Sequence, residues 1–100
     1  MMVNQETVIE INLVNLKKNL AFIRSKVKKK TLIMAVVKAS AYGSDSVIIS
    51  KKLEKEKVNY LAVAYTSEGI ELRNEGIKTP ILVLHPQIND FNKIIEYDLE

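Results

Sequence analysis

Thr31-Leu32-Ile33-Met34-Ala35-Val36-Val37-Lys38 is the stretch on which the fold turns. From Leu32 to Val37 every residue is apolar and no polar residue alternates with them. That pattern marks a strand covered on both faces, as strands of parallel sheets are. Lys38 ends the run abruptly.

Toward the amino terminus, Val8, Ile9 and Ile11 around Glu10 predict a short strand over Thr7–Ile11. Asn12 is a candidate N-cap. Leu13, Leu16, Leu20, Ile23 and Val27 then recur at three- and four-residue steps, which predicts a helix to about Lys28. On the other side, Asp45–Lys57 reads as a helix capped by Ser44 or Asp45, with Val47, Ile48 and Leu53 facing inward. Asn59–Ala64 reads as a second buried strand. Thr66 is expected to cap a helix to about Glu75, closed by Gly76, before a third apolar strand over Thr79–Leu84. Asn89 or Asp90 would open a last helix through Tyr97.

Strand and helix alternate throughout, the rhythm of βαβ units around a parallel sheet. The expected class is therefore α/β, a parallel (β/α) TIM-barrel segment. A closed eightfold barrel needs about 250 residues, so the expectation for residues 1–100 is an incomplete one, an opening strand and helix plus about three βα units. No linker rich in Pro, Gly or Ser divides it.

Composition narrows the classes further. With 47% apolar and 27% charged residues, 3 Gly and 2 Pro, the chain is an ordinary globular one and neither collagen-like nor disordered. It has no cysteine, hence no disulfide or thiolate metal site, and we expect a cytoplasmic location. Met1–Glu10 lacks the basic and apolar regions of a signal peptide, and no apolar run is long enough to span a bilayer. A net charge of +3 invites a nucleic-acid reading. However, Lys26, Lys28, Lys29 and Lys30, and likewise Lys51, Lys52, Lys55 and Lys57, fall at expected helix ends, where cations complement the helix dipole. We expect no nucleic-acid partner.

Ligands of parallel α/β folds bind at the carboxyl ends of the strands. That directs attention to Lys38–Ser44, to Tyr65 and Thr66, and to Leu84–Gln87. A lysine at the end of an apolar run is either a snorkelling surface cation or, where desolvation favours its neutral amine, a nucleophile toward aldehydes. Tyr42-Gly43 is either a common turn pair or a phenol beside an open backbone that reaches a phosphate oxygen. His85, the single histidine, precedes Pro86 and reads as a solvated loop residue. No metal site is expected from one histidine and no cysteine.

The run Ile33-Met34-Ala35-Val36-Val37-Lys38-Ala39-Ser40-Ala41-Tyr42-Gly43 closely resembles the cofactor-lysine signature of alanine racemases, pyridoxal phosphate enzymes of fold type III. The flanks agree. Thr7–Leu13 resembles the family's opening strand, Tyr60–Ala64 its second barrel strand, and Glu68–Arg73 with Gly76–Leu84 its next helix and strand. The resemblance implies that Lys38 holds the aldehyde of pyridoxal 5'-phosphate and serves as the base on one face of an alanine substrate. It also implies that Tyr42 hydrogen-bonds the cofactor phosphate and that Leu84 packs near the pyridine ring. The opposite face would be served by a tyrosine from the C-terminal β-domain of a partner subunit, so the full-length protein is expected to be a homodimer and residues 1–100 alone inactive. One departure stands out: Ser44 and Asp45 follow Tyr42-Gly43 where the family commonly has His-Gly. An anion beside a phosphate is unfavourable, so Asp45 is expected to turn away as a helix cap.

Three further readings stand beside this one. The pyridoxal phosphate homeostasis proteins share the barrel type and a comparable lysine, but the Tyr42-Gly43 ending and the Glu68–Arg73 helix favour the racemase. A non-enzymatic basic binding module rests on the lysine clusters alone. Fusion to a cell-wall ligase is known in the family, and a start at Met1 speaks against an upstream partner.

Overall fold

The computed structural model describes residues 6–10, 16–37 and 43–100. Chain order is β1 (Glu6–Glu10), α1 (Leu16–Lys26), β2 (Leu32–Val36), α2 (Gly43–Lys55), β3 (Tyr60–Val63), α3 (Thr66–Asn74), β4 (Ile81–Val83), a 3-10 turn (Ile88–Asp90) and α4 (Phe91–Glu96). Every strand pairs in parallel with the next, giving the sheet order β1-β2-β3-β4. The registers Ala35↔Leu61 and Leu61↔Ile81 align the apolar runs across the sheet. Leu99 and Glu100 return to the free edge of β4, where the Glu100 amide donates to Ile81 O at 2.8 Å and its carbonyl accepts from Val83 N at 2.7 Å.

Side chains alternate across a strand, so Ile33, Ala35 and Val37, Leu61 and Val63, and Ile81 and Val83 share one face. These residues form one core cluster with Leu16 and Leu20 of α1, Leu53 of α2, Leu72 of α3 and Leu99. Each such leucine, fully removed from water, stabilises the fold by about 1.5–3 kcal/mol relative to an exposed one. The other face carries Met34 and Ala62, also buried, and Leu32, Val36 and Leu82, half-buried. The expected two-sided burial of the Leu32–Val37 run is therefore present in β2.

Helix ends follow local chemistry. At the end of α3, Gly76 takes φ +91°, its amide donates to Arg73 O, and the Ile77 amide donates to Leu72 O. This is the paired 5→2 and 6→1 closure that a glycine at this position makes possible, and it is the stop expected at Gly76. Within α3, Gly69 leaves room for Leu99, whose Cδ1 would stand 3.0 Å from a Cβ at that position. The lysine clusters lie on exposed residues at the ends of α1 and α2, as expected.

Three expectations need correction. α2 begins at Gly43, so Ser44 and Asp45 lie inside the helix and not at its cap. Among its described side chains, Ser46, Ser50 and Leu53 are buried, at the four- and three-residue spacing of one helical face, whereas Ile48 is 57% exposed. A helix that approaches the sheet through small serines turns the bulkier Ile48 outward. Thr66 is the first residue of α3 and Tyr65 precedes it as the cap, because the Thr66 hydroxyl is engaged elsewhere. Asn12 and Leu13, expected at the start of the first helix, lie outside the described residues.

Candidate active site

The carboxyl ends of β2, β3 and β4 lie side by side, as the pairing requires. At β2, Val37 is buried and its amide donates to Ala62 O at 2.8 Å, so the strand stays in register up to the residue before Lys38. Lys38 and Tyr42 themselves lie outside the described residues. Beyond β4, the amides of Leu84 and His85 donate to Val63 O and Ala64 O, each at 2.9 Å. Leu84 is 45% exposed at this rim. The His85 ring stands 6.1 Å from the exposed Tyr65 ring, tilted by 41°.

Two carboxylates order the rim, and neither was singled out as a site residue from the sequence. Glu68 Oε1 accepts from the amides of Ala64 and Tyr65, both at 2.8 Å, and so fixes the turn from β3 into α3. Asp90 Oδ2 accepts from the Thr66 hydroxyl at 2.8 Å and from the Gln87 amide at 3.0 Å. The Gln87 amide, followed by the Thr66 hydroxyl and the charge of Lys93, outweighs a slight desolvation and holds the Asp90 carboxyl below its ordinary value. Asp90 was visible in the sequence only as a possible helix opener. A pair joining residues 66 and 90 leaves no periodic signal.

At the amino-terminal ends of the strands a cleft is lined by Arg73, Ile77, Lys78, Glu96, Tyr97 and Asp98. The Arg73 guanidinium is already committed there, donating to the carbonyls of Tyr97, Ile77, Thr79 and Asp98 at 2.8–2.9 Å. The opposite end, where ligands of parallel α/β folds bind, presents the exposed Leu84.

The sequence profile of the family described as "Alanine racemase, N-terminal domain" matches residues 11–100. The chain belongs to this family. An alanine racemase 1 of Caldanaerobacter subterraneus subsp. tengcongensis is 42% identical over 94 residues, covering 93% of this chain and 24% of that protein. Among solved structures, an alanine racemase of Clostridium difficile 630 superposes with a TM-score of 0.79 and 48% identity, over 90% of this chain and 24% of the other. The same enzyme in complex with cycloserine gives the same TM-score and identity, over 90% and 25%. The chain thus spans about a quarter of the length of the alanine racemases it matches. Its parallel α/β sheet is that of the alanine racemase N-terminal domain, and the rim formed by Val37, Leu84 and His85 sits within the matched residues. No described helix is long and apolar enough to cross a membrane.

Proposed function

We propose that this chain is the opening part of the (β/α)8 barrel of a pyridoxal phosphate-dependent alanine racemase, which interconverts L- and D-alanine as a cytoplasmic homodimer. The observation that carries the reading is the family match over residues 11–100, which contains the whole apolar run ending at Lys38. The sequential strand order supports the barrel, because strands added one by one with helices on the same face are how a barrel winds. The residues present suit pyridoxal phosphate. Leu84 offers an exposed apolar surface to a flat ring at the strand ends, and the sequence between β2 and α2 carries an amine, Lys38, and a phenol, Tyr42.

Pyridoxal phosphate supplies an aldehyde that captures amino groups and a ring that draws electrons away from the substrate Cα. Lys38 would hold the cofactor through its amine, and the same amine would serve as the base that removes or returns the Cα proton on one face of alanine. Tyr42 would hydrogen-bond the phosphate and so orient the cofactor. Leu84 would lie against the ring and keep water from it. Inversion requires a second acid on the opposite face, since a single base returning its own proton regenerates the starting enantiomer. We assign that acid to the C-terminal domain of the partner subunit.

The test is loss of optical activity. Full-length protein with pyridoxal phosphate should convert either enantiomer of alanine to the racemate, and Lys38→Ala should lower the rate by roughly 10²–10⁴-fold or more. A folded, cofactor-loaded wild type that leaves both enantiomers unchanged would overturn the assignment.

A further inference from the structure

The loop after β4 is fastened at two points. At its start, Leu84 and His85 are held by their amides to Val63 O and Ala64 O. Pro86 has no amide to donate. The next hold is Asp90, whose Oδ2 takes both the Gln87 amide and the hydroxyl of Thr66, the first residue of the preceding helix α3. Thr66 is 3% exposed, so its hydroxyl sits where an unmade hydrogen bond is costly. The loop that carries Leu84 is thus tied, across strands, to the helix that leaves β3.

We propose that the Thr66–Asp90 hydrogen bond is a positioning latch that sets the Leu84–Gln87 loop at the height where Leu84 meets the cofactor ring. This rests on the cofactor assignment made above. Asp90 and Thr66 would act on the cofactor through Leu84 and not by contact, so both are positioning residues. With the latch open, the amide bonds at Leu84 and His85 hold the loop from one end only, so the segment from Pro86 onward gains freedom and no longer buttresses the Leu84 side chain at a fixed height. Cofactor binding must then order that segment, and ordering costs affinity. A purely structural pair would behave differently, lowering stability while leaving the affinity of the folded protein for cofactor unchanged.

The test uses full-length protein with the cofactor removed. Thr66→Val keeps the shape and deletes the donor, Thr66→Ser keeps the donor, and Asp90→Ala removes the acceptor from the more exposed partner. Two quantities are read: amide exchange of residues 84–90 without cofactor, and the Kd for pyridoxal phosphate from its absorbance on titration. The expected result is faster exchange over 84–90 and a Kd raised about tenfold in Thr66→Val and Asp90→Ala, with both restored in Thr66→Ser. If Thr66→Val does not fold, Asp90→Ala carries the test by itself. A Kd within about twofold of wild type in the folded variants overturns the latch and leaves the cofactor assignment standing. A folded wild type that takes up no cofactor at Lys38 overturns both, and it does so before any variant is made.

Discussion

The two ends of the sheet are built differently. At the amino-terminal end, side chains close off backbone groups in number: Arg73 binds four carbonyls, and Glu54 Oε2 accepts from the amides of Lys78 and Thr79 and from the Thr79 hydroxyl. Asn59 pairs with both backbone groups of Ile33, its side-chain Oδ1 accepting at 2.8 Å and its backbone N–H donating at 3.0 Å. The carboxyl-terminal end has Glu68 and Asp90 but also leaves Tyr65, Leu84 and Ile88 exposed. One end spends its side chains on fastening the chain and the other keeps apolar surface available. On the proposed function, stability and binding would be separated along the strand axis, so that loops at the rim could serve chemistry without loosening the core.

Substitutions should divide the same way. The largest effect is expected at Arg73. Arg73→Ala leaves four carbonyls to find water, at a cost of about 2–4 kcal/mol in chemical denaturation, with cofactor affinity of the folded protein unchanged. Loss of cofactor affinity at Arg73 would break the separation. Glu54 should show itself through pH. Burial pushes its carboxyl up, but the Lys78 and Thr79 amides, the Thr79 hydroxyl and the charge of Arg73 together hold it below its ordinary value of 4.5. A lowered folded value means that its contribution is present above pH 4.5 and lost as pH falls through the folded value. Between pH 7 and about pH 3, stability of Glu54→Gln should therefore fall less steeply than that of wild type, and equal slopes would contradict the assignment. The smallest effect on stability belongs to the rim. Leu84→Ala should change stability by no more than ~0.5 kcal/mol while raising the Kd for pyridoxal phosphate several-fold, and the reverse pattern would place Leu84 in the core.

Much of this division can be read in the chain itself. The uninterrupted Leu32–Val37 run foretold a doubly covered strand, and Gly76 foretold the end of α3, because period and glycine chemistry act locally. The family resemblance carried by Ile33–Gly43 and its flanks agrees with the match over residues 11–100. What stayed hidden depended on tertiary pairing. Ile48 looked inward on hydrophobicity alone, yet the helix packs through Ser46, Ser50 and Leu53. Thr66 looked like a cap, but its hydroxyl reaches Asp90, twenty-four residues away. Arg73 was one residue of a helical motif, and its role as a clamp appears only once Tyr97 and Asp98 are folded beneath it. Of the proposed cofactor residues, Leu84 stands at the strand ends as expected, and Lys38 and Tyr42 rest on the sequence.

The central claim is that Lys38 holds the cofactor, and the most direct measurement is chemical. Full-length protein loaded with pyridoxal phosphate is reduced with borohydride, digested and mapped, beside Lys38→Ala treated in the same way. One stable adduct is expected on the peptide containing Lys38 in wild type and none in the variant. A folded wild type whose adduct maps to another lysine, or that forms no adduct, would contradict it.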